Sequence, residues 1–74
     1  MLKNGIYEHY KGNRYEVLGL AKHSETEEEL VVYKQLYGNY DLWVRPLTMF
    51  LEFVTINGEK KERFTLIEEV EKKL

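Results

Sequence analysis

Seventy-four residues without a single cysteine describe one small domain that has neither a disulfide framework nor a thiolate metal site, so its stability must come from large side chains. Eleven basic against thirteen acidic residues leave a net charge of −2, which argues against broad attachment to a nucleic-acid backbone. No stretch approaches the ~20 apolar residues of a membrane span, and six Tyr, three Phe and one Trp are the material available for a core.

In chain order, Ile6 to Tyr10 reads as a first strand and Arg14 to His23 as a longer second one, joined through the turn signal Lys11-Gly12-Asn13. Gly19 allows a bend or bulge within the second. Ser24 to Glu29 is an acidic connection with a capping-box pattern, Ser24 with Glu27, but too few residues follow for a real helix, so it is read as a hairpin loop. Leu30 to Tyr37 is a third strand, ended at Tyr37-Gly38-Asn39. Leu42 to Arg45 is a fourth, which Pro46 stops by forcing Arg45 into extended geometry. Pro46 then opens a helical turn through Leu47-Thr48-Met49-Phe50.

Glu52 to Ile56 and Lys61 to Thr65 flank Asn57-Gly58, a strong hairpin signal. In the tail, residues 66–74, the period changes. Thr65 with Glu68 forms a second capping-box pattern, Ile67, Val70 and Leu74 have helical spacing, and Glu68 with Lys72 and Glu69 with Lys73 are favourable pairs, which predicts a short C-terminal helix. Five or six short antiparallel strands in so little chain point to a mainly β fold, strongly bent into a small barrel resembling the SH3-like class.

These residues also carry a family resemblance. Gly5-Ile6-Tyr7-Glu8-His9-Tyr10-Lys11-Gly12, Ala21-Lys22-His23-Ser24-Glu25-Thr26, Val32-Tyr33 with Leu36-Tyr37-Gly38, Trp43-Val44-Arg45-Pro46 with Met49-Phe50, and Arg63-Phe64 follow one another in an order similar to a short bacterial family, domain of unknown function 1653. The resemblance runs from Gly5 to Ile67. It implies a small soluble bacterial domain and assigns no activity. The opening Met1-Leu2-Lys3-Asn4-Gly5 has no apolar run behind a basic start, so the expected location is cytoplasmic.

The candidate site is Trp43 with Arg45. Two apart in a strand, they present an indole and a guanidinium on one side, a pairing suited to a planar or anionic ligand. The competing reading makes Trp43 a core anchor and pairs Arg45 with Glu25 or Glu52, its stem along Tyr33. Tyr7 shares a strand face with His9, and Tyr33 and Tyr37 share one with Gln35.

Trp43, Arg45, Tyr33, His9 and His23 therefore form the expected site of a noncatalytic binding module. No catalytic set, metal site or cofactor is expected. The sequence lacks a nucleophile elbow and a phosphate loop, and consecutive His23-Ser24-Glu25 point in alternate directions. Lys11 with Arg14, and Lys60, Lys61 and Arg63, each have an acidic neighbour in Glu16, Glu59 or Glu62 and read as mixed surface. The alternatives are a small hydrolase with a His base, and an interaction domain that adds a strand at a sheet edge. The expected state is a monomer or weak dimer.

Overall fold

The structure, a computed structural model, describes residues 2–71. Seven strands and one helical turn follow in the order β1 Gly5–His9, β2 Arg14–Lys22, β3 Glu29–Gln35, β4 Leu42–Pro46, α1 Leu47–Phe50, β5 Phe53–Ile56, β6 Glu59–Glu62 and β7 Phe64–Glu69. All pairings are antiparallel. Five strands form one sheet in the order β4-β3-β2-β1-β7, and β5 and β6 form a separate hairpin.

The turns behave as their chemistry requires. Asn57 and Gly58 both sit in left-handed backbone, φ 52° and 79°, the conformation a two-residue hairpin needs to match the strand twist. Pro46, at φ −51°, ends β4 and starts α1. The ladder between β2 and β3 shifts between Val17 and Gly19, which leaves Leu18 as an extra residue and bends the sheet where the glycine allows it.

Three expectations are corrected. Seven strands stand among the described residues where five or six are expected, because the stretch Lys61 to Thr65 divides at Arg63 between β6, paired with β5, and β7, paired with β1. The tail is not helical: residues up to Glu69 continue β7, which pairs with β1 through His9↔Phe64 to Gly5↔Glu69, and residues 72–74 of the expected helix lie outside the described residues. An isolated helix so short is marginal in water, whereas the free side of β1 offers a full ladder of hydrogen bonds. Among the described residues the sheet also does not close into a barrel. After Pro46, α1 carries the chain across the sheet, and β5–β6 pairs only with itself. Arg63 N–H donates to the Glu52 carbonyl at 3.1 Å and ties the two ends of that hairpin together. β4 and β7 remain as edges.

The core is aromatic. Tyr7, Val17, Val31, Tyr33, Phe50 and Phe64 are buried on one face of the sheet. Phe50 from α1 stacks parallel on Phe64 from β7 at 4.1 Å between centroids, and Tyr7, Tyr33 and Tyr15 meet these rings edge-on at 5.4–6.1 Å. The Tyr7 hydroxyl donates to the Lys3 carbonyl at 2.6 Å, which gives a buried ring a partner for its polar end.

Gly5 meets a tighter constraint. At φ 152° it lies where L side chains rarely go, and a Cβ there would collide with the Glu68 carbonyl oxygen of β7 and come within 2.9 Å of the Glu69 Cα.

Candidate functional site

The core face continues outward into a groove of about 230 Å³ lined by Tyr15, Tyr33, Gln35, Tyr37, Trp43 and Arg45. Register explains how they meet. Tyr15 pairs with Gln35, Val17 with Tyr33, Tyr33 with Trp43 and Val31 with Arg45, so neighbouring strands β2, β3 and β4 each contribute side chains to the same face. Tyr37 joins from the β3–β4 connection.

Trp43 is 51% exposed, so it is not a core anchor. Its indole N–H donates to the Gln35 side-chain oxygen at 2.6 Å, which fixes the ring against β3. Gln35 in turn donates its amide to the Tyr37 carbonyl at 3.1 Å and holds the connecting loop. Tyr15 and Tyr37 share a hydroxyl–hydroxyl hydrogen bond of 2.8 Å and meet edge-on at 5.7 Å.

Among the described residues no carboxylate lies within ion-pair distance of Arg45; Glu52 pairs with Arg63 at 3.3 Å instead, and Glu25 lies in the β2–β3 loop. The Arg45 guanidinium stands 5.5 Å from the centre of the Phe64 ring, an aromatic floor that orients the cation without neutralising it. A groove with ring walls and an uncompensated planar cation can take a flat molecule carrying a carboxylate or phosphate.

Burial pushes the Tyr15 hydroxyl up to about 12, with the hydrogen bond and charge of Tyr37 adding to it. The folded value lies above the ordinary 10.0, so this contribution to stability is complete below pH 10 and is lost as pH rises toward 12. Tyrosinate absorbance should therefore show the Tyr15 phenol titrating late, alongside Tyr7, whose hydroxyl burial also raises. Tyr37→Phe should bring the Tyr15 phenol down; an unchanged titration would contradict the assigned coupling.

Neither His lines this groove, although His9 shares the Phe64 ring with Arg45. His9 ends β1, tilted against Tyr10 at 4.4 Å and edge-on to Phe64 at 5.0 Å, and with Glu8, Tyr10, Lys61 and Glu62 lines a second hollow of about 390 Å³. Its Nδ1 accepts the Lys11 N–H at 3.2 Å. Burial first, then the charges of Arg45, Arg63 and Lys11, hold it below the ordinary imidazole range. His23 follows the far end of β2. Its Nδ1 accepts the N–H groups of Glu25 at 3.1 Å and Thr26 at 3.5 Å and so organises the hairpin turn.

The fold therefore gathers Trp43, Arg45 and Tyr33, while each imidazole acts as a local turn acceptor. Tyr15 is a groove residue that sequence reasoning passed over; its place opposite Gln35 across a β2–β3 hairpin was the available signal. Among the described residues no group of three His, Asp or Glu could hold a metal ion, and no helix is long and apolar enough to cross a membrane.

Comparison with known proteins matches residues 5–66 to the family model described as Protein of unknown function (DUF1653). The chain belongs to this family. A solved relative, a DUF1653 protein from Bordetella bronchiseptica, is 37% identical and superposes with a TM-score of 0.85 over 93% of this chain and 91% of its own. No curated protein matches. The DUF1653 sequence model covers the groove residues on β2, β3 and β4, so Trp43 and Arg45 lie within the region the family shares.

Proposed function

We propose that this DUF1653 protein is a noncatalytic binding module of bacterial, cytoplasmic origin, and that the groove between Tyr15, Tyr37 and Trp43 takes a small planar anion. The observation that carries this reading is Arg45: a guanidinium with no carboxylate partner among the described residues, set beside a half-exposed indole. Ring walls with a polar group directed into one concavity are the usual make-up of a small-molecule site. Arg45 supplies a forked donor to the anion, Trp43 the stacking wall, and Tyr33 the floor beside it. The Trp43–Gln35 bond holds the wall in place before any ligand arrives, which lowers the cost of ordering it.

Trp43 reports on its own site. A panel of planar anions, mononucleotides and aromatic carboxylates among them, is to be titrated against its fluorescence. Arg45→Ala should weaken the best binder by about 10–100-fold, the loss expected for one charge-assisted hydrogen bond, with the circular dichroism of the fold retained. Equal affinity in the variant would remove Arg45 from the site.

A further inference from the structure

The two edges of the five-stranded sheet are treated differently. β7 carries Glu68 and Glu69 and a bulge at Ile67, devices that discourage pairing with another strand. β4, with the sequence Leu-Trp-Val-Arg-Pro, has no bulge and no charge before Arg45, and its Leu42 and Val44 are 63% and 59% exposed. The Gln35 N–H donates to the Asp41 carbonyl at 3.1 Å. By the alternation of an antiparallel ladder, Tyr33 with Trp43 and Val31 with Arg45 are then the hydrogen-bonded pairs, and the N–H and C=O of Leu42 and Val44 point away from β3.

We propose that this edge is a self-association surface: two copies of the chain pair β4 with β4, antiparallel, about a two-fold axis at Trp43. The register follows from the residues. Centred on Trp43, Leu42 of one copy faces the partner's Val44, and each such pair exchanges two hydrogen bonds through groups unused within the chain. Arg45 then lies opposite the partner's Asp41, on the same face, and Asp41 opposite the partner's Arg45. Each Arg45, which lacks a carboxylate within its own chain, then faces one Asp41 across the axis, so self-association and an anion in the groove compete for the same guanidinium. Centred on Val44 instead, Leu42 would face the partner's Pro46, which has no N–H to give, and Arg45 would face the partner's Trp43.

Charge and hydrogen bonding therefore favour the first of these two registers, which is self-complementary, as an isologous dimer requires. Because the axis is perpendicular to the sheet, both grooves open on the same side with the two indoles adjacent, in the close pairing of a non-hydrogen-bonded position.

Sedimentation of the intact chain over a concentration series tests this. A dimer should grow in with concentration. Val44→Pro removes an N–H that the monomer does not use, so the variant should keep its circular dichroism and sediment as a monomer. Asp41→Arg should weaken the dimer by about tenfold or more through facing like charges, and adding Arg45→Asp to it should restore association. A chain that stays monomeric at every concentration, a dimer untouched by Val44→Pro, or a charge exchange that restores nothing would each overturn the proposal. Ligand binding by the monomeric Val44→Pro protein, read from Trp43, keeps this result separate from the groove's own.

Discussion

Replacing Phe64 by Ala is expected to lower the stability of the fold by about 3–5 kcal/mol, a large share of the 5–15 kcal/mol that holds a small domain together. Phe64 is 5% exposed, stacks on Phe50, meets Tyr15, Tyr33 and His9 edge-on, and supports the Arg45 guanidinium. Its removal opens a cavity that no neighbour can fill, because the surrounding rings belong to four different elements and are held by their own strands. Phe53, 55% exposed on the β5–β6 hairpin with Lys60 over its ring at 4.9 Å, is the matched control. Its loss should cost about 1 kcal/mol or less. Urea denaturation of the two variants measures the contrast; similar midpoints would mean that the Phe50–Phe64 stack does not hold the core.

Gly5→Ala should destabilise by about 3 kcal/mol or more, combining an unfavourable backbone conformation with steric overlap. The obstacle is backbone, the Glu68 carbonyl and the Glu69 Cα of the facing strand, and backbone in a ladder cannot move aside without breaking the β1–β7 pairing. Gly58→Ala is the comparison. Gly58 is also left-handed but has nothing within 4 Å of an added Cβ, so only the conformational cost of about 1–2 kcal/mol applies. Equal losses at the two positions would show that the close approach of β1 to β7 carries no weight.

Much of this architecture is readable from residue types. The β-branched and aromatic runs locate the first four strands within one or two residues, Asn57-Gly58 marks the β5–β6 turn, Pro46 starts the helical turn, and Gly19 adjoins the bulge. The tail is not readable in the same way. Ile67, Val70 and Leu74 have helical spacing, yet Phe64 and Leu66 also alternate as a strand, and a short apolar segment carries both periods. What decides between them is the vacant side of β1, a partner distant in sequence.

The closure of the sheet was out of reach for the same reason, since whether seven strands make one surface or two depends on pairings rather than on local preference. At the candidate site the pair Trp43 and Arg45 follows from simple alternation. Whether it turns inward or outward does not, and neither does the addition of Tyr15 from another strand. His9 and His23 invite a chemical role because imidazoles are rare in this chain, and each instead accepts hydrogen bonds from the turn next to it.

The parallel contact between Phe50 and Phe64 has a consequence for biosynthesis. β7 lies beside β1, so the strand that carries Phe64 must dock against one synthesised before β2, β3 and β4. Until Phe64 emerges, Tyr7, Tyr33 and Phe50 have no lid, and the nascent sheet presents a greasy face to the cell. Such late, sequence-distant pairing makes acquisition of the native state slow relative to a helical chain of equal size, and leaves a window in which a chaperone would find its substrate.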